Sequence, residues 1–384
     1  MTAPRRALSP MATLIGLGIA NHVVLTGCRV AVSLDALALG ASTATVGAVM
    51  ALFAVLPTLL AIPAGRLADR MGVRVPMLVG SCGIAIGALL PVVMHGLAVL
   101  FVTAALLGVS FMAYQVSAQY ATGEIGGPEA RGRNFGLLAV GYSTSSIIGP
   151  VVAGLMIDHV GYRGAFALLA LAPLVPIAIL GGDAVRLPGP HPEHGHHERN
   201  AMDLIAHREL RRVFAINALT AMAWELHTLF VPIYGNAIGL SASQIGFVLA
   251  AFAAATFMVR LAMPLLSRRL TEHQILTTTL FIAGVVFLAF PFSRNVTTLM
   301  MLSFCLGLGL GAGQPMVMAL LHAHAPAGRM GEAAGVRMSL VNSMAVAVPL
   351  VFGAIGGSVG LAPVLWSVGV FLATGGWLTR GPRR

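Results

Sequence analysis

Long apolar segments separated by short polar breaks run along almost the whole chain. A helix that crosses the hydrocarbon core of a bilayer needs about 20 mostly apolar residues, and segments of this length recur along the sequence. The pattern predicts twelve helices, near 11–38, 45–65, 75–94, 97–121, 134–157, 164–181, 212–237, 243–266, 274–291, 296–321, 332–356 and 361–379. We therefore expect an all-α membrane protein.

The longest polar interruption divides these twelve predicted spans into six and six. Its core reads DAVRLPGPHPEHGHHERN. We expect an N-terminal six-helix bundle over 1–181, a cytoplasmic linker over 182–211 and a C-terminal six-helix bundle over 212–384. Membrane carriers built from two related halves bind their solute near the bilayer midplane between the halves, so the layout favours transport.

The composition supports lipid as the solvent for most of the chain. Hydrophobic residues make up 57% of the sequence and charged residues only 9%, which a water-exposed surface could not accommodate. Phosphate-binding, dinucleotide-binding and nucleophile-elbow motifs do not occur in the sequence, so we expect neither an enzyme nor a bound cofactor. Cys28, Cys82 and Cys305 lie far apart inside apolar segments, where we expect them to pack as small hydrophobic residues without a metal.

The basic residues are all arginines, and most lie in alternate loops. Arg163 and Arg294 are the exceptions. Because basic loops stay in the cytoplasm, this pattern predicts a multi-pass protein of a bacterial inner (plasma) membrane with both termini cytoplasmic. The arginines form no continuous face for nucleic acid and instead suit anionic membrane lipids. The arginines of the alternate loops and termini on which this interpretation depends are Arg5, Arg6, Arg66, Arg70, Arg74, Arg131, Arg133, Arg208, Arg211, Arg212, Arg268, Arg269, Arg329, Arg380, Arg383 and Arg384.

A loop motif between spans two and three suggests a family. Residues 65–74 read GRLADRMGVR and resemble the G-x-L-x-D-R-x-G-x-R loop of the major facilitator superfamily at each defining position. The corresponding stretch of the second half, 260–270, keeps its arginines but lacks the glycine and the aspartate. The resemblance implies the major facilitator fold, with two pseudo-symmetric six-helix bundles. The motif residues are Gly65, Asp69, Arg70, Gly72 and Arg74.

Each of these motif residues has an expected role. Glycine permits a tight turn at the membrane surface, so Gly65 and Gly72 are expected to shape the loop. The carboxylate of Asp69 can bind arginines or a helix N-terminus of the other half and stabilise one state of a transport cycle. The alternative is a loop that is basic only because it faces the cytoplasm.

Span five carries a second resemblance. Gly149, Pro150 and Gly154 follow Gly141 and resemble the antiporter motif of drug and metabolite exporters, with Ser145 in place of one glycine. Proline removes a helix hydrogen bond and glycines thin the helix, which gives a bendable and closely packed element. The alternative is a plain packing kink, because Gly-Pro pairs also occur in importers.

Span four departs from the exporters that this motif suggests. Exporters of the family often carry an arginine there, whereas residues 106–124 contain none. Gln115, Gln119 and Thr122 instead share one helical face and form a neutral hydrogen-bonding stripe. This departure favours uptake of a metabolite over export.

Polar and ionisable groups within a span are expensive, so each is a candidate for function. In span one, Asn21 and Asp35 share one face and His22 and Arg29 form a second row. Asp35 either couples transport to protons or solute, or forms a structural ion pair near the outer membrane boundary.

Span seven is the equivalent first helix of the second half, and in this family both line the central cavity. Trp224 and Thr228 lie nearly in line with Asn217, with Glu225 to one side and His227 to the other, which predicts a polar groove with an aromatic floor. We expect Glu225 to exchange a proton for the solute. His227 takes part in the site or is a packing group.

The cavity composition favours an amphipathic or weakly cationic solute. Trp224, Tyr114 and Met112 offer aromatic and flexible apolar surface, with few charges nearby. The histidine-rich linker, with His191, His194, His196 and His197, could bind a metal ion, but it reads more simply as a solvated spacer, and we predict no metal site.

Together the sequence predicts a monomeric secondary transporter with a small-molecule substrate and protons as partners. It would export small organic or drug-like compounds as a proton antiporter through alternating access. The alternatives are uptake or facilitated transport of a small metabolite and, from another class, a non-transporting membrane sensor that signals through the linker.

Overall fold

A computed structural model describes residues 9–182, 185, 187–189, 202–326 and 329–378. Within these ranges the backbone is helical or turn, without a strand, as the sequence predicts. The helices are α1 Pro10–Ala38, α2 Thr43–Met71, α3 Arg74–Val93, α4 Leu97–Glu124, α5 Gly127–Val160, α6 Tyr162–Leu171, α7 Leu174–Gly181, α8 Met202–Ala206, α9 Arg208–Ala237, α10 Ala242–Leu266, α11 Glu272–Ala289, α12 Val296–His324, α13 Met330–Val359 and α14 Leu361–Leu378.

The described helices meet the length that a bilayer requires. Eleven of them are long and apolar enough to cross a membrane, with α6 and α7 together making one span. A shorter apolar segment of α14, Leu361–Gly376, follows as the twelfth. These spans, arranged as two six-helix bundles, confirm the predicted fold class.

Two predicted helix boundaries in the first bundle are wrong, the end of the second span and the start of the fifth. Helix α2 continues to Met71 instead of ending near Gly65, so Gly65 lies inside the helix and not in a turn. Helix α5 likewise begins at Gly127, ahead of its predicted start at 134. Arg, Leu and Ala are good helix formers, so helices extend through these charged segments beyond the apolar stretch that predicted them.

The sixth span differs from its prediction as one continuous helix, and the predicted linker has helical parts. The span is interrupted between α6 and α7 at Pro173, because proline lacks the N–H group and its ring clashes with the preceding turn. The predicted linker contains α8 and the first turn of α9, which begins at Arg208 with Glu209 in its first turn.

Several helix starts in the second half have side-chain caps. Ser241 is the N-cap of α10 and Thr271 is the N-cap of α11, each in a capping box with a glutamine three residues later. Asn295 is the N-cap of α12, and its Oδ1 atom accepts a hydrogen bond from the backbone N–H of Thr298 at 2.8 Å. These caps satisfy N–H groups that the helix leaves free, and they are readable from the sequence.

The chain divides into two compact units, 1–35 with 52–195, and 36–51 with 196–384. Both units contain the same close helix crossing. In the first, a Cβ atom added to Gly108 of α4 would lie 2.9 Å from the backbone carbonyl carbon of Phe53 in α2. In the second, a Cβ atom on Gly307 of α12 would lie 3.0 Å from the same atom of Phe252 in α10. This shared contact supports pseudo-symmetric halves.

Helix α2 contributes to both units. Its first part, within 36–51, belongs with the second unit and packs on α13. A Cβ atom on Gly353 of α13 would lie 2.9 Å from the backbone oxygen of Thr43 and 3.0 Å from the Cα atom of Gly47.

Candidate functional site

Three helices of the first unit meet around His22. Its Nδ1 atom lies 2.6 Å from the hydroxyl of Ser145 in α5. Its ring centroid lies 4.9 Å from that of Tyr142 in α5 and 5.3 Å from that of Phe111 in α4. The ring therefore joins α1 to both α4 and α5 through one hydrogen bond and two aromatic contacts.

Asn21 and Tyr114 extend this cluster into the interior of the unit, and both side chains are fully buried. The Nδ2 atom of Asn21 donates a hydrogen bond to Ser81 of α3 at 2.9 Å. The Asn21 side chain is also hydrogen-bonded to Tyr114, and among the described residues the hydroxyl of Tyr142 is buried without a hydrogen-bond partner. The structure thus brings the predicted residues Asn21, His22 and Tyr114 together.

Helix α5 crosses α1 at the Gly-Pro pair of the second motif. A Cβ atom on Gly149 would lie 2.7 Å from the backbone oxygen of Val23 and 2.9 Å from the backbone nitrogen of Gly27. The two helices therefore touch backbone to backbone at this point. Pro150 and Gly154 are buried within the continuous helix, so the proline does not interrupt α5.

The charged groups of α1 lie toward its outer end. The guanidinium of Arg29 lies over the ring of Phe53 in α2, 5.9 Å from its centroid, in a cation–π contact. Asp35 is half-buried and lies within electrostatic reach of His95 and Tyr162. This surrounding favours the ion-pair alternative for Asp35.

The residues of the neutral stripe on α4 differ in how deeply they are buried. Gln115 and Gln119 are half-buried, whereas Thr122 is buried and donates its hydroxyl to the backbone oxygen of Ala118 at 2.7 Å. Thr122 therefore satisfies its hydrogen bond within its own helix and is a packing residue. The two glutamines stay candidates.

In the second unit His227 is fully buried, and its Nε2 atom lies 3.0 Å from the hydroxyl of Ser303 in α12. Its ring stacks on Phe252 of α10 at 4.4 Å between centroids, and Trp224 meets the same phenylalanine edge-on at 4.7 Å. His227 thus lies inside the unit, which supports its alternative as a packing group.

The residues of the polar groove predicted on α9 have different surroundings in the structure. Asn217 is buried and donates to the backbone oxygen of Arg337 at 3.4 Å, and the hydroxyl of Thr228 donates to the backbone oxygen of Glu225 at 3.0 Å. A helical wheel orders side chains by angle but does not show which angles neighbouring helices occupy. Trp224, Glu225 and Thr228 are half-buried.

The loop motif is described only in part. Gly72 has φ +74°, the left-handed conformation that glycine adopts readily, so the predicted turn is formed there. The Nε atom of Arg74 donates to the backbone oxygen of Leu180 at 2.7 Å and ties α3 to the end of α7. The side chains of Asp69 and Arg70 and the surroundings of Gly65 lie outside the described residues, as do His191, His194, His196 and His197.

Sequence reasoning missed the partners that complete both clusters. Phe111, Tyr142 and Ser145 surround His22, and Phe252 and Ser303 surround His227. One signal was available, because residues 142–146 read YSTSS within an otherwise apolar span. A polar run at that depth indicates a polar interior neighbour.

Two repeated bundles of membrane-spanning helices, with polar groups buried inside each, define a polytopic membrane transporter. The family model of the Major Facilitator Superfamily matches residues 12–349. The chain therefore belongs to the Major Facilitator Superfamily, as the loop motif indicated.

Solved transporters share this fold. A POT family transporter in complex with a thioalcohol-conjugated peptide superposes with a TM-score of 0.81 at 12% identity, covering 96% of this chain and 94% of that chain. A POT family transporter in complex with 5-aminolevulinic acid gives 0.80 at 13% identity with the same coverage. At these identities the likeness shows the fold. No curated protein sequence matches the chain.

Proposed function

We propose that this transporter exports small organic, drug-like compounds in exchange for protons, by alternating access in a bacterial inner membrane. The observation that supports export is the backbone contact between α1 and α5 at Gly27 and Gly149. It coincides with the segment that resembles the antiporter motif. Helices in such close contact exclude water and lipid between them, which suits a carrier that must prevent leakage of protons.

Proton exchange needs a carboxyl group that binds either a proton or the solute. Glu225 is our choice, because it is half-buried on α9 beside Trp224, which offers an aromatic surface to the solute. Asp35 is the weaker choice, because it lies three residues from the end of α1 within reach of His95 and Tyr162.

Glu225→Gln tests this assignment in proteoliposomes with an imposed pH gradient. We expect the variant to exchange solute for solute but to fail to concentrate it against a gradient, because glutamine cannot release a proton. Glu272→Gln, at the exposed first turn of α11, is the matched control and should retain accumulation. If Glu225→Gln still accumulates solute against a gradient, the proton-binding role is assigned to Asp35. If transport by the wild-type protein does not respond to the pH gradient, the antiport proposal is refuted.

Uptake is the second candidate function, supported by Gln115 and Gln119. These half-buried neutral amides occupy the span where related exporters often carry an arginine. The POT transporters of the same fold were solved with peptide-like or amino acid ligands, and an importer of small metabolites would agree with that. Solute transport is measured in inside-out and in right-side-out vesicles under the same pH gradient. The face of the membrane from which the solute is removed distinguishes export from uptake.

A further inference from the structure

Helix α12 carries a polar side chain that points into the second unit and is nevertheless exposed. Two residues define the inward face of this helix: Ser303 lies within hydrogen-bond distance of His227 in α9, and a Cβ atom on Gly307 would lie 2.9 Å from the Cβ atom of Ala255 in α10. Gln314 follows both by whole numbers of turns, so it lies within about 20° of each around the helix. Its side chain is exposed. An exposed side chain on an inward face borders an opening in the bundle.

The side of α12 that suits lipid is a different one. Met301, Cys305, Ala319 and Ala323 are exposed and apolar, and they form a stripe about 140–180° away from Gln314 around the helix. Gln314 and Cys305 lie at similar depth, about 6 and 8 Å from the middle of α12. An amide in contact with hydrocarbon at this depth would be costly. We therefore expect water or solute, and not lipid, around Gln314.

The first unit carries a glutamine at the equivalent position. The close crossings at Gly108 of α4 and at Gly307 of α12 are the same contact in the two units. Gln115 follows Gly108 by seven residues, as Gln314 follows Gly307, so each lies two turns further along the same helix face. Gln115 is half-buried and therefore also partly accessible. An accessible amide at the same place in both units indicates a shared role.

Both amide groups are available to a ligand. Within the part of the chain that the structure describes, neither side chain makes a hydrogen bond. Gln244 and Gln274, in contrast, are used in the capping boxes of α10 and α11. A glutamine amide offers an N–H donor beside a C=O acceptor, so its complement is a group with an acceptor beside a donor. A carboxamide has this pattern, whereas an ester and a tertiary amide lack the donor.

We infer that Gln314, and Gln115 at the equivalent position, contact the transported solute, and that this solute carries a hydrogen-bond acceptor beside a donor, as a carboxamide does. Each glutamine is a contact contributed by its own unit. The inference rests on the proposed function as a carrier of small organic compounds, in either direction, and names the chemical class of the solute.

Cysteine labelling tests whether Gln314 borders an aqueous space. In a background with Cys28, Cys82 and Cys305 replaced by alanine, Gln314→Cys is treated with a charged methanethiosulfonate in permeabilised membranes. The matched control keeps Cys305 as its single cysteine, at similar depth on the opposite side of the helix. We expect Gln314→Cys to react at least about tenfold faster, because the reactive thiolate forms in water and not in lipid. Equal rates would overturn the inference.

Three probes that share a phenyl ring test the donor and acceptor pattern: benzamide, N,N-dimethylbenzamide and methyl benzoate. Their dissociation constants are measured by calorimetry on the full-length protein in detergent, without any gradient. We expect benzamide to bind at least about fivefold more tightly than the other two, because only its N–H group can pair with a glutamine C=O group. Equal binding of the three probes, tighter binding of another probe, or no binding of benzamide would overturn the inference.

Glutamine-to-methionine variants test the two amides. Gln314→Met and Gln115→Met keep the length of the side chain and remove the amide, so each should weaken benzamide binding about two- to tenfold without lowering the unfolding temperature. Gln274→Met is the matched control: it removes the exposed capping amide of α11, and should lower the unfolding temperature while leaving the dissociation constant unchanged.

The outcomes of these variants are distinct. If either Gln314→Met or Gln115→Met keeps wild-type benzamide binding, or unfolds earlier in the way expected of Gln274→Met, its amide is not a solute contact and the inference fails. Because binding is measured without a pH gradient, its loss would leave the proposal of proton antiport intact. Conversely, a transporter that does not respond to the gradient but prefers benzamide to the ester would refute only the antiport proposal.

Discussion

Each half of the molecule has a histidine on its first long helix whose imidazole lies within hydrogen-bond distance of a serine from a distant helix. His22 lies against Ser145 of α5, and His227 lies against Ser303 of α12. Each ring also packs on a phenylalanine, Phe111 in one unit and Phe252 in the other. In an interior surrounded by lipid such hydrogen bonds hold helices together, because no water is present to form hydrogen bonds with an unpaired polar group.

Ser145→Ala tests the contribution of the hydrogen bond to His22. Removing the hydroxyl leaves the imidazole Nδ1 atom buried without its partner, so we expect the free energy of unfolding in detergent to fall by about 1–2 kcal/mol. Ser146→Ala is the control, because the Ser146 hydroxyl donates to the oxygen of Tyr142 within its own helix. Equal stability of the two variants would show that the contact between α1 and α5 does not depend on this bond.

Asp69 is a residue-scale prediction that comes from the loop motif. We expect Asp69→Asn to impair reconstituted transport while leaving expression and membrane insertion largely intact, because the carboxylate would stabilise one state of the cycle and not the fold. Asp203→Asn, an exposed change on the short helix α8, should leave the rate unchanged. Transport at the wild-type rate in Asp69→Asn would contradict the assignment.

At the scale of elements, glycines decide how closely helices approach. The crossing of α1 and α5 has no room for a side chain at Gly149, and α2 and α4 meet in the same way at Gly108. Lipid provides little hydrophobic drive for helix association, so close van der Waals contact becomes a main source of packing energy. These crossings therefore fix the spacing of the helices that position His22 and its neighbours.

Gly149→Ala is expected to be disruptive. Its added methyl group would meet backbone atoms of Val23 and Gly27 within 3 Å, so α5 must move away from α1. We expect a lower unfolding temperature and a loss of transport of at least about tenfold, since overpacking costs about 1–3 kcal/mol.

Gly136→Ala provides the control for this prediction on the same helix. A Cβ atom at Gly136 would meet nothing within 4 Å, so this variant should keep wild-type stability and transport. If Gly149→Ala behaves like Gly136→Ala, the contact between α1 and α5 is not important for either property.

At the scale of the whole molecule, the two units repeat one arrangement along the chain. The crossing at Gly108 and Phe53 recurs at Gly307 and Phe252, and in each unit the ring of that phenylalanine packs with a side chain of the unit's first helix. Helix α2 belongs to both units.

Labelling of single cysteines tests the predicted orientation in the membrane. In a background with Cys28, Cys82 and Cys305 replaced by alanine, an impermeant maleimide should label Ala44→Cys in intact cells. Arg269→Cys should react only after the membrane is opened, because the basic loops are predicted to be cytoplasmic. Both positions are exposed. The reverse pattern would invert the topology and contradict the positive-inside assignment.

Local features of the sequence were sufficient to predict the fold class and the positions of many helices. Apolar length predicted the spans, the capping residues mark the starts of α10 and α11, and the loop motif identified the family. Each of these predictions depends on residues close together in sequence. Hydrogen bonding within a helix and solvation of a span by lipid are determined by such neighbouring residues. The interruption at Pro173 is local too, although the apolar pattern alone did not reveal it.

Tertiary packing was needed to assemble the candidate site. His22 and Tyr142 lie in helices far apart in sequence, and no local pattern shows that α5 turns that ring toward α1. On α9 the helical wheel gave the relative angles of Asn217 and His227, but α10, α12 and α13 determined which angles are buried. Side-chain environment in a helix bundle depends on neighbours brought together by non-local packing, which is why the spans were predictable and their inner faces were not.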